Sequence, residues 1–179
     1  MTCRLRAALL LLAGCLLASP ALAQSTAMAE YAVKSALLFK LPLFVYQPEA
    51  RRRGGDLDMC LLGSNPFGNA LEKLAKTSID GRNVRLHKLA SAAEAGDCDF
   101  LFIARSEADA LDGTLRQLQG LPVVTVSDIE GFARASGMVE FALGGDGAPI
   151  SILINRKAAQ KHGIEFNAQL LRLAKVVEP

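Results

Sequence analysis

The sequence has 179 residues, of which 51% are hydrophobic and 6% aromatic. Two of its 20 Lys and Arg residues, Arg4 and Arg6, lie in a leader that contains no acidic residue. In the rest of the chain, 18 Lys and Arg residues balance 18 Asp and Glu residues, so the net charge is zero. Because phosphate binding needs a basic surface, this balance argues against nucleic acid as a partner. The length suits one domain whose hydrophobic core needs no additional cross-links.

The N-terminal leader predicts export. Its basic residues precede the apolar run 7–17, and Ala21-Leu22-Ala23 is a small-residue cleavage site. We expect a cleaved signal peptide at residues 1–23 and a periplasmic single domain at residues 24–179. The apolar run is shorter than the ~20 residues needed to span a bilayer, so the leader is not predicted to be a membrane span. We also expect no transmembrane segment in the mature chain.

Export changes the interpretation of the cysteines. Cys3 and Cys15 leave with the leader, and Cys60 and Cys98 remain. Two cysteines in an oxidising compartment suggest one disulfide, and two buried thiols that pack as small apolar side chains are the alternative. Leu12-Ala13-Gly14-Cys15 also resembles a lipoprotein cleavage box, so a lipid anchor on Cys15 is the alternative form of export.

The first half of the mature chain alternates helix and strand patterns. Residues 26–41 fit an amphipathic helix with Tyr31 among its apolar positions and Lys34 as a solvated charge. Residues 57–62 predict the first strand. Residues 84–89 alternate between apolar and polar side chains and predict the second.

The centre of the chain predicts a strand, a helix and a second strand in succession. Residues 99–104 begin with Asp99 and continue as an unbroken apolar run, which is typical of a strand covered by helices on both faces. Leu111, Leu115 and Leu118 then share one face of a predicted helix. Residues 123–126 predict the next strand, so this segment is expected to be a βαβ unit with parallel strands.

The last third of the chain predicts a hairpin and two helices. Residues 138–143 and 150–154 flank Gly144-Gly145-Asp146-Gly147, which is a strong hairpin signal. Asn155 and Asn167 are the predicted N-caps of the two helices that follow. The whole pattern predicts an α/β fold with one open sheet, mostly parallel with a C-terminal antiparallel hairpin, and helices on both faces.

Residues typical of catalysis or metal binding are scarce. Gly63-Ser64-Asn65-Pro66 follows a strand but lacks the Gly-Lys-Ser/Thr of a phosphate-binding loop and the spacing of a dinucleotide fingerprint. His87 and His162 lie far apart, and no Cys/His cluster is visible. We therefore expect a non-enzymatic protein with no catalytic, cofactor or metal site.

The final hairpin and the segment before it suggest a contact surface. Ile150, Ile152 and Ile154 share one strand face and are expected to face the core, so Leu153 points the other way. Phe132 lies in a polar, glycine-bounded stretch that offers no obvious burial. We expect Phe132 and Leu153 to bind a partner, and coverage of both by the terminal helix or a dimer mate is the alternative.

Short motifs, in order along nearly all of the mature chain, carry a family resemblance. They are KSALLF at 34–39, CLLG at 60–63 with PF at 66–67, CDFLFI at 98–103, VTVSD at 124–128 with GFA at 131–133, GMV at 137–139 and LLRLAKVV at 170–177. This set resembles the YfiR-like family of periplasmic regulatory proteins. The resemblance implies an α/β domain that binds the periplasmic domain of an inner-membrane diguanylate cyclase and represses it, which lowers cyclic-di-GMP and biofilm formation.

The resemblance also implies pairing of Cys60 with Cys98, and a homodimer is a further expectation. The chain has Tyr46-Gln47-Pro48 where members often have Trp-Pro, and it lacks the second cysteine pair of some members. Two alternatives remain from different classes: a periplasmic protein that binds a small ligand, and a sensor adaptor for another membrane receptor.

Whether Cys60 and Cys98 can form a disulfide depends on the register of the neighbouring strands. If Asp58 aligns with Asp99 on neighbouring parallel strands, Cys98 lies three residues behind Cys60, or ~10 Å away. A disulfide needs Cα atoms within about 7 Å. The sequence therefore predicts that the pair can form only if this register is shifted.

Overall fold

The structure is a computed structural model that describes residues 20–48, 55–144 and 150–178, with side chains described from residue 27 onwards. The cleavage box at Cys15 and most of the glycine turn of the hairpin lie outside these ranges. The described strands are β1 (Val45–Tyr46), β2 (Leu57–Leu62), β3 (Val84–Leu89), β4 (Phe100–Ile103), β5 (Val124–Ser127), β6 (Val139–Leu143), β7 (Ile150–Ile154), β8 (Glu165–Phe166) and β9 (Lys175–Val176).

The described helices alternate with these strands. They are α1 (Pro20–Lys40), α2 (Ala70–Leu74), α3 (Leu111–Gln117), α4 (Arg156–Lys161) and α5 (Ala168–Leu173). Asn155 and Asn167 cap α4 and α5 as predicted, because each side chain accepts a hydrogen bond from the backbone N–H three residues further on. Pro42 lies in the 3-10 helix Leu41–Phe44, which directly follows α1.

Within the described residues, the main sheet has seven strands in the order β3-β2-β4-β5-β6-β7-β9. Strands β2 to β6 are parallel, and β7 runs antiparallel to β6 with Phe141 opposite Ile152. This arrangement confirms the predicted α/β class, the mostly parallel sheet and the antiparallel hairpin. Two features were not predicted from the sequence: β9, which pairs in parallel with β7, and the separate β1-β8 pair. All three strands have only two residues, which is too short for a visible alternation of apolar and polar side chains.

Apolar clusters cover both faces of the sheet. On one face α1, α4 and α5 pack over the strands, with Leu38, Phe102 and Phe141 almost fully buried. On the other face α3 and the 3-10 helix Ala92–Asp97 cover β2 and β4. Every residue of β4 is buried, as its unbroken apolar run predicts for a strand packed on both sides.

The structure joins Cys60 to Cys98 in a disulfide whose Cα atoms are 5.9 Å apart. The predicted need for a shifted register was wrong, because Cys60 lies opposite Leu101 as the simple alignment requires. The bridge forms because Cys98 does not belong to β4. It follows the 3-10 helix Ala92–Asp97, which lies over the sheet face that carries Cys60, and the strand begins only at Phe100.

We expect the exported protein, unfolded in denaturant without a reductant, to show no free thiol on maleimide labelling. After reduction, Cys60 and Cys98 should both be labelled. A Cys60→Ser variant is the control, because it should expose one reactive thiol at Cys98 without reduction. Two labelled thiols in the unreduced wild-type protein would refute the disulfide.

Candidate functional site

Phe132 is completely buried, so the expectation that it is an exposed contact residue was wrong. Its ring packs in the cluster on the α3 face. The ring lies directly against Gly137, and a Cβ at Gly137 would overlap it. The glycine that marks the end of this stretch in the sequence therefore provides the space in which the aromatic ring is buried.

Buried polar groups hold the segment that carries Phe132. The Glu140 carboxylate accepts hydrogen bonds from the backbone N–H groups of Gly131 (3.2 Å) and Ala133 (3.0 Å). Asn155 Nδ2 donates to the Ala133 carbonyl at 2.7 Å. Because these partners satisfy the backbone of a non-helical segment, Phe132 can be buried without leaving polar groups unpaired.

Leu153 is half-buried and lies opposite Glu140 on β6 and Lys175 on β9. Ile152 and Ile154 pack toward the α1 face, so Leu153 points to the other face as predicted. On that side, α3 and the 3-10 helix Ala92–Asp97 pack over β2 and β4, and the segment that carries Phe132 covers Glu140 of β6. We call the exposed part of this side, formed by Ala142, Ser151, Leu153 and Lys175, the open face.

A buried ion pair lies where α1 crosses the carboxyl end of β5. Lys34 and the Asp128 side chain are both fully buried, and Lys34 Nζ donates to Asp128 Oδ2 at 2.7 Å. Lys34 also contacts the Glu30 carboxylate one turn earlier on α1. The prediction of Lys34 as a solvated charge was wrong, because its partner follows a strand that lies far from α1 in the sequence.

Two further side chains complete this cluster, which we call the Asp128 cluster (Glu30, Tyr31, Lys34, Arg105 and Asp128). The Tyr31 hydroxyl donates to Asp128 Oδ2 at 2.9 Å, and Arg105 Nε lies 3.1 Å from the same oxygen. Arg105 Nε also donates to the Asp128 carbonyl at 3.2 Å. The cluster therefore connects α1 to the residues that follow β4 and β5, which form the carboxyl edge of the parallel sheet.

Aromatic contacts support the same connection. The Tyr31 and Phe67 rings meet edge to face with centroids 6.0 Å apart, and Phe67 meets Phe102 at 4.7 Å. Such pairs each contribute about 0.5–1.5 kcal/mol beyond the burial of their surface. The three rings link α1 through the segment after β2 to the centre of β4, and so help to fix Tyr31 beside Asp128.

The sheet has its topological switch point between β2 and β4, where ligands often bind in open α/β sheets. Here side chains occupy that position. Gly63, with a φ of +91°, lies directly against the Ser106 hydroxyl, which accepts a hydrogen bond from the Ser64 N–H at 2.9 Å. The carboxyl ends of β5 and β6 are not filled in this way, because a cavity of about 250 Å³ lies there beside Asp128.

Tyr31 gives the Asp128 cluster a dependence on alkaline pH. Burial, together with the hydrogen bond to Asp128 and the negative charge there, raises the pKa of Tyr31 to about 12. Because the raised pKa favours the neutral phenol in the folded state, its contribution to stability is complete below pH about 10 and is lost as the pH rises toward about 12.

We therefore expect the wild-type protein to lose stability between pH 10 and 12 relative to a Tyr31→Phe variant, measured by urea unfolding at each pH. The ionisation step near pH 12, followed by phenolate absorbance, should be absent in that variant. Tyr46→Phe is the control and should keep both the step and the loss. Equal pH profiles for the wild type and Tyr31→Phe would contradict the assignment.

A second group of charges lies on the β2-β3 edge, away from the Asp128 cluster. Asp58 accepts hydrogen bonds from Arg85 Nε and Nη2, both at 2.9 Å, and lies 2.6 Å from His87 Nε2. Burial of Asp58 opposes its ionisation, but the hydrogen bonds from Arg85 and His87 outweigh it and lower the pKa of Asp58. Because this group is largely solvated, we interpret it as stabilisation of a sheet edge.

The described part of the chain contains no group of three or more His, Cys, Asp or Glu side chains arranged to hold a metal ion. Among the same residues, no helix combines the length and the apolar character needed to cross a membrane. Among the described residues, the Asp128 cluster is therefore the main group of buried charged side chains.

The sequence carries a signal for the Asp128 cluster in the position of Lys34 on α1, which the charge of Lys34 alone does not reveal. Tyr31, Lys34, Leu38 and Leu41 follow the three- and four-residue spacing of one helix face, so Lys34 occupies a core position of α1. A charged residue in a core position requires a buried partner. The spacing does not identify that partner, which is why Asp128 was found only in the structure.

The comparisons with known proteins define the class of this protein. Residues 31–175 match the family DUF4154, described as YfiR/HmsC-like. The chain belongs to this family, whose members are regulatory rather than catalytic proteins, and the earlier resemblance to the YfiR-like family is confirmed. No curated protein matches the chain in sequence.

Solved structures share the fold at low sequence identity. A structure titled as an ABC domain in complex with L-Trp, from Streptococcus pneumonia, matches with a TM-score of 0.53 and 14% identity. A conserved domain protein from Vibrio cholerae matches with a TM-score of 0.55 and 12% identity. Each match covers 83% of this chain and 60% of the other, so the chain spans less than two thirds of those proteins.

Proposed function

We propose that this protein is a periplasmic regulator that binds the periplasmic domain of an inner-membrane diguanylate cyclase and represses it. The observation that carries the proposal is membership of the YfiR/HmsC-like family across residues 31–175. The leader sequence supports the compartment, because its basic start, apolar run and cleavage site are those of an exported protein. Repression of the cyclase would lower cyclic-di-GMP and biofilm formation.

We place the contact with the cyclase on the open face. Leu153 is apolar and half-buried there, between Glu140 and Lys175 on the neighbouring strands. A partially exposed leucine with polar neighbours suits the centre of a moderate protein interface, in which apolar contacts are surrounded by polar ones. Phe132 is buried and is not a direct contact in this proposal, but its segment lies on the same side of the sheet, held by the Glu140 carboxylate.

The test is a Leu153→Asp variant in the host strain. A carboxylate at an apolar contact should weaken cyclase binding by at least about tenfold, so cyclic-di-GMP and biofilm should rise toward the level of a gene deletion. The variant must remain folded, although a second carboxylate opposite Glu140 on β6 should lower its free energy of unfolding. Urea unfolding of the purified variant checks this condition.

Leu43→Asp is the matched control, because Leu43 is an exposed leucine in the 3-10 helix that follows α1. It should leave cyclic-di-GMP at the wild-type level. If nucleotide levels stay unchanged both in the Leu153→Asp strain and in a strain deleted for the gene, the repressor function is wrong. If only the deletion raises cyclic-di-GMP, the contact lies elsewhere on the surface.

A further inference from the structure

A second cavity lies at the other edge of the sheet from Asp128. It has a volume of about 460 Å³, which is within the ~300–1,000 Å³ typical of small-molecule sites. Its walls are the end of α3, the segment that carries Phe132, and α4. Gly120 in these walls precedes β5 and Asn155 follows the antiparallel β7, so the cavity lies at the amino edge of the parallel strands.

Positively charged side chains line this cavity from two sides. Arg116 comes from α3. Lys157, Lys161 and the capping residue His162 come from α4. Among the described residues that line the cavity, Asp112 is the one acidic side chain. The electrostatic potential in the cavity is therefore positive, and it favours an anion as the ligand.

These positive charges are only partly neutralised within the protein. Lys157 Nζ lies 2.8 Å from a carboxylate oxygen of Glu178, so the charge of Lys157 is compensated. Arg116 and Lys161 are exposed and form no ion pair with another described residue. Lys157 and Lys161 are four residues apart, which places them on one face of α4, where like charges repel. A bound anion would relieve this repulsion.

The ends of the helices account for only part of this arrangement. Arg116 and Lys161 lie in the last turns of α3 and α4, where a cation is favourable beside the free carbonyl groups. Lys157 lies near the start of α4, where the same effect disfavours a cation. All three side chains nevertheless line one cavity, so a shared anion explains their arrangement better than three separate helix-end contacts do.

Rigid groups form the cavity wall between these flexible side chains. His162 Nδ1 donates to the Leu121 carbonyl at 2.6 Å, because a carbonyl oxygen can only accept. Asn155 is fully buried and uses both ends of its amide. Its Oδ1 accepts from the Ala158 N–H at 2.9 Å, and its Nδ2 donates to the Ala133 carbonyl at 2.7 Å. Asn155 therefore shapes the wall, and the charged groups that can reach a ligand belong to long, adaptable side chains.

We propose that this cavity binds a small hydrophilic polyanion, a compound with at least two carboxylate or phosphate groups. The Arg116 guanidinium binds one group through two parallel N–H donors, and the Lys161 ammonium binds a second group from the α4 side. Gln119 and Ser136 in the lining add uncharged hydrogen-bond donors. The site does not depend on the cyclase partner proposed above, and its test uses the purified protein alone, so either proposal can fail without the other.

The experiment is titration calorimetry of the purified protein with citrate, a tricarboxylate, and separately with inorganic pyrophosphate. Glucose is the uncharged control, and sodium chloride at equal ionic strength is the control for general screening. We expect at least one anion to bind in a one-to-one complex and to raise Tm by about 5 °C or more at a hundredfold excess over its Kd, with no comparable rise in either control. Binding of citrate alone assigns the site to carboxylates, and binding of pyrophosphate alone assigns it to phosphates. Binding of both supports the shared polyanion chemistry.

Isosteric variants separate the site from general surface charge. Gln119→Glu adds a carboxylate to the lining of the cavity and should weaken anion binding severalfold. Gln117→Glu, two residues earlier and outside the lining, makes the same change in net charge and should bind like the wild type. Asp112→Asn should strengthen binding, because it removes a carboxylate that repels the anion.

Lys161→Gln and Arg116→Gln should each weaken binding severalfold, and together by about tenfold or more, since a charge-assisted contact is lost on each side. Both residues are exposed, so the variants should fold, and urea unfolding checks this. Lys73→Gln, at an exposed lysine of α2, is the matched control and should bind like the wild type. The proposal is overturned if neither anion binds, if the double variant binds like the wild type, or if Gln117→Glu weakens binding as much as Gln119→Glu.

Discussion

We expect a Lys34→Met variant to lose about 3–5 kcal/mol of unfolding free energy in urea titrations. Methionine keeps most of the unbranched stem of lysine, so the change removes the charge with little change in packing. The Asp128 carboxylate, fully buried, then loses the closest of its three Oδ2 partners, at 2.7 Å. Because the low dielectric of the interior makes an incompletely paired charge costly, the loss should far exceed that of a surface lysine.

Lys40→Met is the matched control, since Lys40 is an exposed lysine on the same helix and should change stability by no more than about 0.5 kcal/mol. A Lys34→Met/Asp128→Asn double variant should be less destabilised than the sum of its single variants, by about 1 kcal/mol or more. Equal stability of the Lys34→Met and Lys40→Met variants would show that the buried pair contributes nothing to the fold.

The second large effect is expected at Phe132. Phe132→Ala should destabilise the protein by about 3–5 kcal/mol, because it removes a fully buried ring and leaves a cavity beneath the 128–137 segment. Thermal and urea unfolding both measure the loss. The variant would also reduce repression in cells, but through a lower amount of folded protein and not through a lost contact with a partner.

Gly137→Ala tests the packing from the opposite side of the contact. An added Cβ would overlap the Phe132 ring, so this variant should also be destabilised, and combining it with Phe132→Ala should recover part of the loss. Leu143→Ala is the control for a large apolar side chain that is exposed, and it should be close to neutral. A stable Phe132→Ala variant would mean that the ring is not in the core and would restore it as a candidate contact residue.

The two residues expected from the sequence to form a partner-binding surface have different positions in the structure. Strand alternation places Leu153 away from the core correctly, because the period of two is a local property of the strand. Phe132 lies outside a regular element, so no period applies. Its burial depends on Gly137 and on the Glu140 carboxylate, and neither contact can be read from the polar residues around it.

The amino-acid sequence by itself determined the six longer strands β2 to β7, the parallel core and the antiparallel hairpin. It also predicted the Asn155 and Asn167 caps, because periodicity and capping act over a few neighbouring residues.

Only the tertiary structure decided which residues form the candidate site. Lys34 and Asp128 are 94 positions apart, and α1 must cross the end of β5 before the two charges can meet. The Cys60–Cys98 bridge likewise needs a chain path over the sheet face that strand geometry alone does not give. Local patterns indicate whether a side chain faces the core, whereas the identity of its buried partner is set by packing between distant elements.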